Sequence, residues 1–247
     1  NTKLKIIFCF FVFTLEIFSQ DFNGIIEYGK KSEIQYPSKK YKDLKEENFS
    51  KFKEFQKMDR LISHSEKKMT FELKIANKSS FFEAKTILET KNNNILKIGM
   101  GLYGSGKYYN NFSEQLMQLN VYGELFLIKK PKLKWIITKE IKKIGNYNCY
   151  KATTEIIINS KGKKRIITAW FTSEIPVSFG PLGYAGLPGL ILELEVYKKI
   201  YYAKKITINP KEEIKIEKLT KGIRVTEKEF HEMASSTMQK FKKNKGY

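Results

Sequence analysis

Few side chains in this sequence could do chemistry, and their spacing does not assemble a catalyst. Histidine occurs only at His64 and His231, and cysteine only at Cys9 and Cys149. A nucleophilic thiol needs a base within reach, and neither histidine is near Cys149 in sequence. Flanked by Tyr147 and Lys151 on an alternating stretch, Cys149 reads as a small buried apolar residue. Metal ligation calls for clustered His, Cys or carboxylates. The sequence shows no such cluster, so no metal and no cofactor is expected. Acidic pairs occur at Glu46-Glu47, Glu193/Glu195 and Glu212-Glu213. Glu193 and Glu195 project from one strand face as glycosidase carboxylates do, yet any exposed strand face places two carboxylates this way. Gly104-Ser105-Gly106 lacks the strand–turn–helix frame of a nucleophile elbow. Gly99, Gly101, Gly104 and Gly106 have neither the spacing of a dinucleotide fingerprint nor the ending of a phosphate loop. The chain is therefore expected not to be an enzyme. An enzyme of another mechanism would need a pocket holding polar groups with perturbed pKa values.

The stretch that organises the chain is structural in type. Residues 180–189 hold four of the 15 Gly and two of the six Pro, and an apolar strand follows at once. Leu187-Pro188-Gly189-Leu190 suits a type II turn, with Pro presetting φ and Gly supplying the positive φ after it. From Leu190 the residues alternate: Leu192, Leu194 and Val196 share one face, and Glu193, Glu195 and Tyr197 the other. A shaped loop that opens onto a core strand is a structural corner, or the rim of a cavity.

This stretch also carries a resemblance. Gly186 to Ile191 spells GLPGLI, the signature of the GLPGLI family of secreted proteins from Bacteroidetes-type bacteria. Ile144-Gly145-Asn146-Tyr147-Asn148-Cys149-Tyr150-Lys151-Ala152 resembles the family's I-G-x-Y-x-C-x-K-A segment. Ala169-Trp170-Phe171-Thr172-Ser173-Glu174-Ile175-Pro176 resembles its A-W-[YF]-T-x-E-I-P segment, and Gly180-Pro181 follows. Three motifs in order across residues 144–196 make the match specific. The resemblance implies an exported protein but no activity, since the family has no established one. Its structural motif residues here are Gly180, Pro181, Gly186, Leu187, Pro188 and Gly189.

Charge and address agree with export. The chain has 247 residues, 46 Lys+Arg against 26 Asp+Glu, and a formal net charge of +20. The excess is mostly scattered Lys, which faces solvent and protects strand edges. It also predicts attraction to anionic surfaces. Residues 1–20 read as a signal peptide, with Lys3 and Lys5 before the apolar run Ile6 to Leu15 and Ser19-Gln20 before Asp21. That run is shorter than the roughly 20 residues that span a bilayer. The expected location is periplasmic, outer-membrane-associated or extracellular. Cys149 is then the one cysteine left and no internal disulfide forms.

Periodicity places the elements. Residues 43–63 repeat apolar positions every three to four residues, Leu44, Phe52, Phe55, Met58 and Ile62 among them, so a helix of about five turns is expected, packed by its aromatic face on a sheet. Short alternating strands are expected at 22–28, 69–75, 80–88, 115–122, 124–130, 133–144, 148–158, 164–172, 190–199 and 201–208, with Ile214 and Ile216 in an edge strand. The glycine-rich segment 95–109 reads as a bulged strand. Thr226-Glu227-Lys228-Glu229 is a capping box for a C-terminal helix, on which His231 faces solvent. No repeat or linker divides the chain, so residues 21–247 form one domain.

The expected fold is mainly β: a single curved antiparallel sheet or half-open barrel of about 9–11 strands, with one helix in the N-terminal half and one at the C-terminus. By analogy this is similar to periplasmic lipoprotein carriers, whose concave apolar face holds an acyl chain. On that analogy Trp170, Phe171, Tyr184, Leu187 and Leu190 are candidate ligand-binding residues. The expected partner is a lipid, lipoprotein or other apolar or anionic ligand, with peripheral contact to an anionic membrane surface. The alternative is an interaction or structural component of an envelope or secretion assembly, marked by an exposed aromatic patch. Nucleic acid is not expected, since no basic-aromatic module accompanies the charge.

Overall fold

The structure is a computed structural model and describes residues 22–32, 39–85, 106–121 and 123–244. The expected signal peptide, with Cys9, and most of the glycine-rich segment lie outside the described residues. The strands are β1 (Gly24–Ser32), β2 (Phe71–Ala76), β3 (Ser79–Ala84), β4 (Lys107–Asn110), β5 (Gln115–Val121) and β6 (Glu124–Lys130), then β7 (Ile136–Ile144), β8 (Tyr147–Ile157), β9 (Lys164–Thr172), β10 (Leu190–Val196), β11 (Lys199–Ile208) and β12 (Ile223–Thr226). They form one open sheet in the order β12-β6-β5-β4-β3-β2-β1-β11-β10-β9-β8-β7. Every pairing is antiparallel except β12 on β6, which is parallel. The helices are α1 (Lys39–Glu47), α2 (Phe49–Lys68) and α3 (Glu227–Asn244).

The hairpin turns follow from local chemistry. Asn77-Lys78 and Tyr197-Lys198 connect β2–β3 and β10–β11 with positive φ at both residues, the twist a two-residue hairpin requires. Between β8 and β9 the Asn159 side chain accepts from the Lys161 and Lys163 amides at 3.1 and 3.0 Å. Register shifts break β1 after Glu27, β10 at Leu192 and β7 between Ile137 and Ile141. Bulges of this kind bend strands and add twist. The curled sheet encloses a core of Tyr28, Phe71, Phe82, Tyr201, Ile167, Leu190, Leu192 and Leu194, all buried. A smaller cluster of Tyr109, Leu116, Leu127 and Leu219 lies under the β5–β6 end.

Four expectations are corrected. The single helix over 43–63 is two helices, because Asn48 ends the first and caps the second by accepting from the Lys51 amide at 3.0 Å. The expected packing face is only partly covered: Phe55 and Met58 are exposed and Leu44 and Phe52 half-buried, while Ser65 and Glu66 in the last turns of α2 are buried. Residues 211–221 form no strand; the edge strand is β12, after Gly222 at φ +118. The capping box does form, with Glu229 accepting from the Thr226 amide at 2.7 Å and the Glu229 amide donating to Thr226 Oγ1 at 3.3 Å. His231, however, is only half-exposed, and its Nε2 is buried with no hydrogen-bond partner among the described residues.

Candidate functional site

Residues 173–189 between β9 and β10 turn a tight corner, and side chains from three distant places fasten it. The Tyr28 hydroxyl donates to the Ile191 carbonyl at 2.6 Å, beside the β10 bulge. Asn110 Nδ2 donates to the Gly183 carbonyl at 2.9 Å. Trp135 Nε1 donates to the Ala185 carbonyl at 2.9 Å, its ring tilted against Tyr184. Within the corner, the Leu190 amide donates to Ile175 and the Ile191 amide to Phe179, each at 3.0 Å. None of Tyr28, Asn110 and Trp135 stood out in the sequence, because a buried donor's acceptor is invisible until the chain is folded.

The expected type II turn is not what shapes this loop. Gly189 does not have a positive φ; the positive-φ residues are Leu182, Gly183 and Gly186. Gly189 is required for a different reason. A Cβ there would lie 2.0 Å from the Thr172 carbonyl oxygen, so only glycine lets the loop close against the end of β9.

Beside the corner the curl of the sheet leaves an open cleft of about 700 Å³. One wall comes from β8 and β9, with Thr153 to Ile157 and Ile166. The facing wall comes from the other half of the sheet, with Gln115, Lys130 and the connection Pro131–Lys134. Leu182, Gly183 and Tyr184 of the corner close one end, and Glu227 of α3 stands at the rim. Strands from far apart in the sheet order thus face each other across one space. Thr154 Oγ1 donates to the Lys134 carbonyl at 2.8 Å, and Ser160 and Ser235 share a 2.8 Å hydrogen bond between the β8–β9 turn and α3. The lining is mainly apolar, and Ile136, Ile157 and Ile166 are 69, 53 and 65% exposed. Such exposed β-branched residues sharing one space need a reason. At the rim Lys130 pairs with Glu227 at 2.5 Å and Lys164 with Glu155 at 2.9 Å. Among the described residues Lys132 and Lys134 have no ion pair.

The candidate ligand-binding residues divide. Tyr184 lines the cleft, and burial pushes its phenol well above the usual range. Phe171, Leu187 and Leu190 are 3, 1 and 0% exposed within the core, behind the corner. Trp170 points to the opposite face from Phe171, where Lys142 Nζ stands 4.3 Å from its ring and pairs with Glu193 at 2.7 Å. Glu193 is thereby committed to a lysine, and the Glu193/Glu195 face carries a cation–π and ion-pair cluster. Burial pushes the Cys149 thiol up to about 11, so it stays protonated near neutral pH.

One buried ionic cluster lies away from the cleft lining. Glu66 of α2 pairs with Lys30 of β1 at 3.4 Å and Lys199 of β11 at 2.7 Å, and accepts from Ser32. Burial lowers the Lys30 pKa to about 8, against the raising effect of Glu66. Burial pushes the Glu66 carboxyl up, but hydrogen bonds from Lys199 and Ser32 and the charges of Lys30 and Lys199 outweigh it and hold the carboxyl below its ordinary value. The cluster anchors the last turns of α2 to the sheet. Among the described residues no group of three or more His, Cys, Asp or Glu could hold a metal ion, and no helix is long and apolar enough to cross a membrane.

No curated protein matches the sequence. Among solved structures, two described as "Structure of PNGF-II", in the C2 and P21 space groups, are similar over 83 and 86% of this chain, at 15 and 14% identity and TM-scores of 0.44 and 0.46. The chain aligns to 31 and 33% of those structures, so it spans about a third of their length. Residues 158–193, which carry β9, the corner and the start of β10, match the profile of a family described as "Protein of unknown function (Porph_ging)".

Proposed function

We propose that this chain is an exported, non-catalytic binding protein of the GLPGLI type, which takes up an apolar ligand bearing negative charge in the cleft beside the corner. The ligand class comprises lipids, lipoprotein segments and other apolar anions. One observation carries the reading: a cleft of about 700 Å³ whose walls include exposed Ile136, Ile157 and Ile166 and whose rim holds Lys132 and Lys134. Covering three such isoleucines is favourable by about 0.8 kcal/mol per buried methylene equivalent. The lysines supply the electrostatic preference. The same basic surface favours peripheral contact with an anionic membrane. No cofactor and no nucleic acid enters this reading.

Native mass spectrometry of the protein purified from its own envelope tests it, together with displacement of an apolar fluorescent probe. A co-purified apolar ligand, and probe affinity weakened at least about fivefold by Ile166→Asp or Leu133→Asp, support the proposal. A ligand-free protein whose probe binding ignores both substitutions overturns it. A second reading, a component of an envelope or secretion assembly, draws on the exposed row Phe49, Phe55, Met58 and Leu61 of α2. Co-purification of a protein that is lost on Phe55→Glu, with the cleft empty, would favour it.

A further inference from the structure

The strand β8 outruns its neighbour. β7 pairs with it from Ile144 opposite Tyr147 to Ile136 opposite Thr153, but β8 continues to Ile157. The chain before Ile136 leaves the sheet line because Trp135 is drawn to the corner by its bond to the Ala185 carbonyl. Beyond Thr154, whose Oγ1 holds the Lys134 carbonyl, the outer edge of Glu155–Ile157 has no strand beside it among the described residues, and that edge lies along the cleft. Hydrogen-bonding direction alternates along an antiparallel strand. The Ile158 amide donates to the Lys163 carbonyl at 2.9 Å, toward β9. By alternation the N–H and C=O of Ile157 and Glu155 point the other way, into the cleft. Among the described residues neither makes a backbone hydrogen bond there.

This edge decides between classes of apolar ligand. An acyl chain seated on it would cover these amide and carbonyl groups without partners, which is costly for each group left unsatisfied. An extended polypeptide satisfies them and fills the place that a longer β7 would occupy, and such strand addition is an established way to bind peptides. Its alternating side chains would meet Ile136, Ile156 and Ile166 about the edge and Leu133 across it. The rim lysines Lys132 and Lys134, without an ion pair among the described residues, favour acidic residues in the segment. A second copy of this chain, at a formal +20, is disfavoured by the same charge.

We infer that the cleft binds an extended, acidic-flanked polypeptide segment by adding it as a strand to the open edge of β8 at Glu155 and Ile157. The inference rests on the reading of the cleft as a ligand site. The test uses the full chain and a labelled peptide of alternating Val and Thr with Glu at both ends, followed by fluorescence anisotropy. Two versions are N-methylated on one or the other alternate set of backbone amides. The expected result is binding that one methylation pattern weakens by about tenfold or more while the other leaves it nearly unchanged. Ile157→Pro, which removes an outward N–H and leaves the β9 bonds in place, should weaken binding similarly, and Ile157→Val should not. Equal affinity for both methylated peptides overturns strand addition. So does absence of peptide binding while the apolar probe is still held and displaced by a fatty acid; the cleft reading then survives. If neither probe nor peptide binds, both readings fall.

Discussion

The corner and the cleft adjoin each other and draw on the same apolar residue types, yet one is closed and the other open. At the corner Leu187, Leu190 and Phe171 are sealed, and Tyr28, Asn110 and Trp135 fasten the backbone. Across the cleft, Ile136, Ile157 and Ile166 stand exposed on strands that are themselves well ordered by pairing. The difference is in the partner strand. Among the described residues β10 has neighbours on both edges, whereas the end of β8 has one. A closed face specifies a fold; an ordered but half-paired edge keeps a rigid surface available for something else.

Substitutions can break this comparison. The largest effect is expected from Gly189→Ala, since the new Cβ meets the Thr172 carbonyl at 2.0 Å and backbone cannot move aside cheaply. A loss above about 4 kcal/mol in urea unfolding is expected. Gly162→Ala, at φ +72 in open space, should cost only about 1 kcal/mol. Similar values for the two would mean the corner is not closed. Next comes Glu66→Ala, which strands the buried Lys30 charge and should cost about 3–5 kcal/mol. A loss below that of a surface substitution would remove the cluster from the account of how α2 is held.

Leu190→Ala should cost about 2–5 kcal/mol, but Ile166→Ala no more than about 0.5 kcal/mol, because little of it is buried. Equal losses would show that the cleft wall is part of the core. The smallest change is in pH dependence. Lys30 has a pKa of about 8 in the fold against 10.5 when free. Between those values the unfolded chain binds the extra proton, so this group's contribution to stability rises with pH. Wild type should therefore gain on Lys30→Met from pH 8 to pH 10.5 in thermal unfolding. A flat difference would place Lys30 in a wetter setting.

Much of the sheet was legible because strand signals are local. Alternation marked β5, β6, β8, β9, β10 and β11 within a few residues of their ends, and the Thr226/Glu229 box marked the start of α3. The four-residue strands β4 and β12 are too short to show a period. The break at Asn48 was missed because the apolar spacing of α1 and α2 runs across it in phase. Of the five candidate ligand-binding residues, Tyr184 lines the cleft, as its place in the corner allows. Phe171, Leu187 and Leu190 lie in the core and not on the cleft wall; alternation reveals that a face is apolar but not whether a neighbouring element covers it.

Composition and periodicity alone determined a basic, mainly β chain bent at a glycine–proline corner, since charge, alternation and turn residues act over a few positions. Tertiary structure alone decided why Gly189 must be glycine, which lysines lie buried, and that β8 runs on past the end of β7. Those depend on which distant segments meet, and hydrogen-bond partners, steric contacts and desolvation exist only once the sheet has curled.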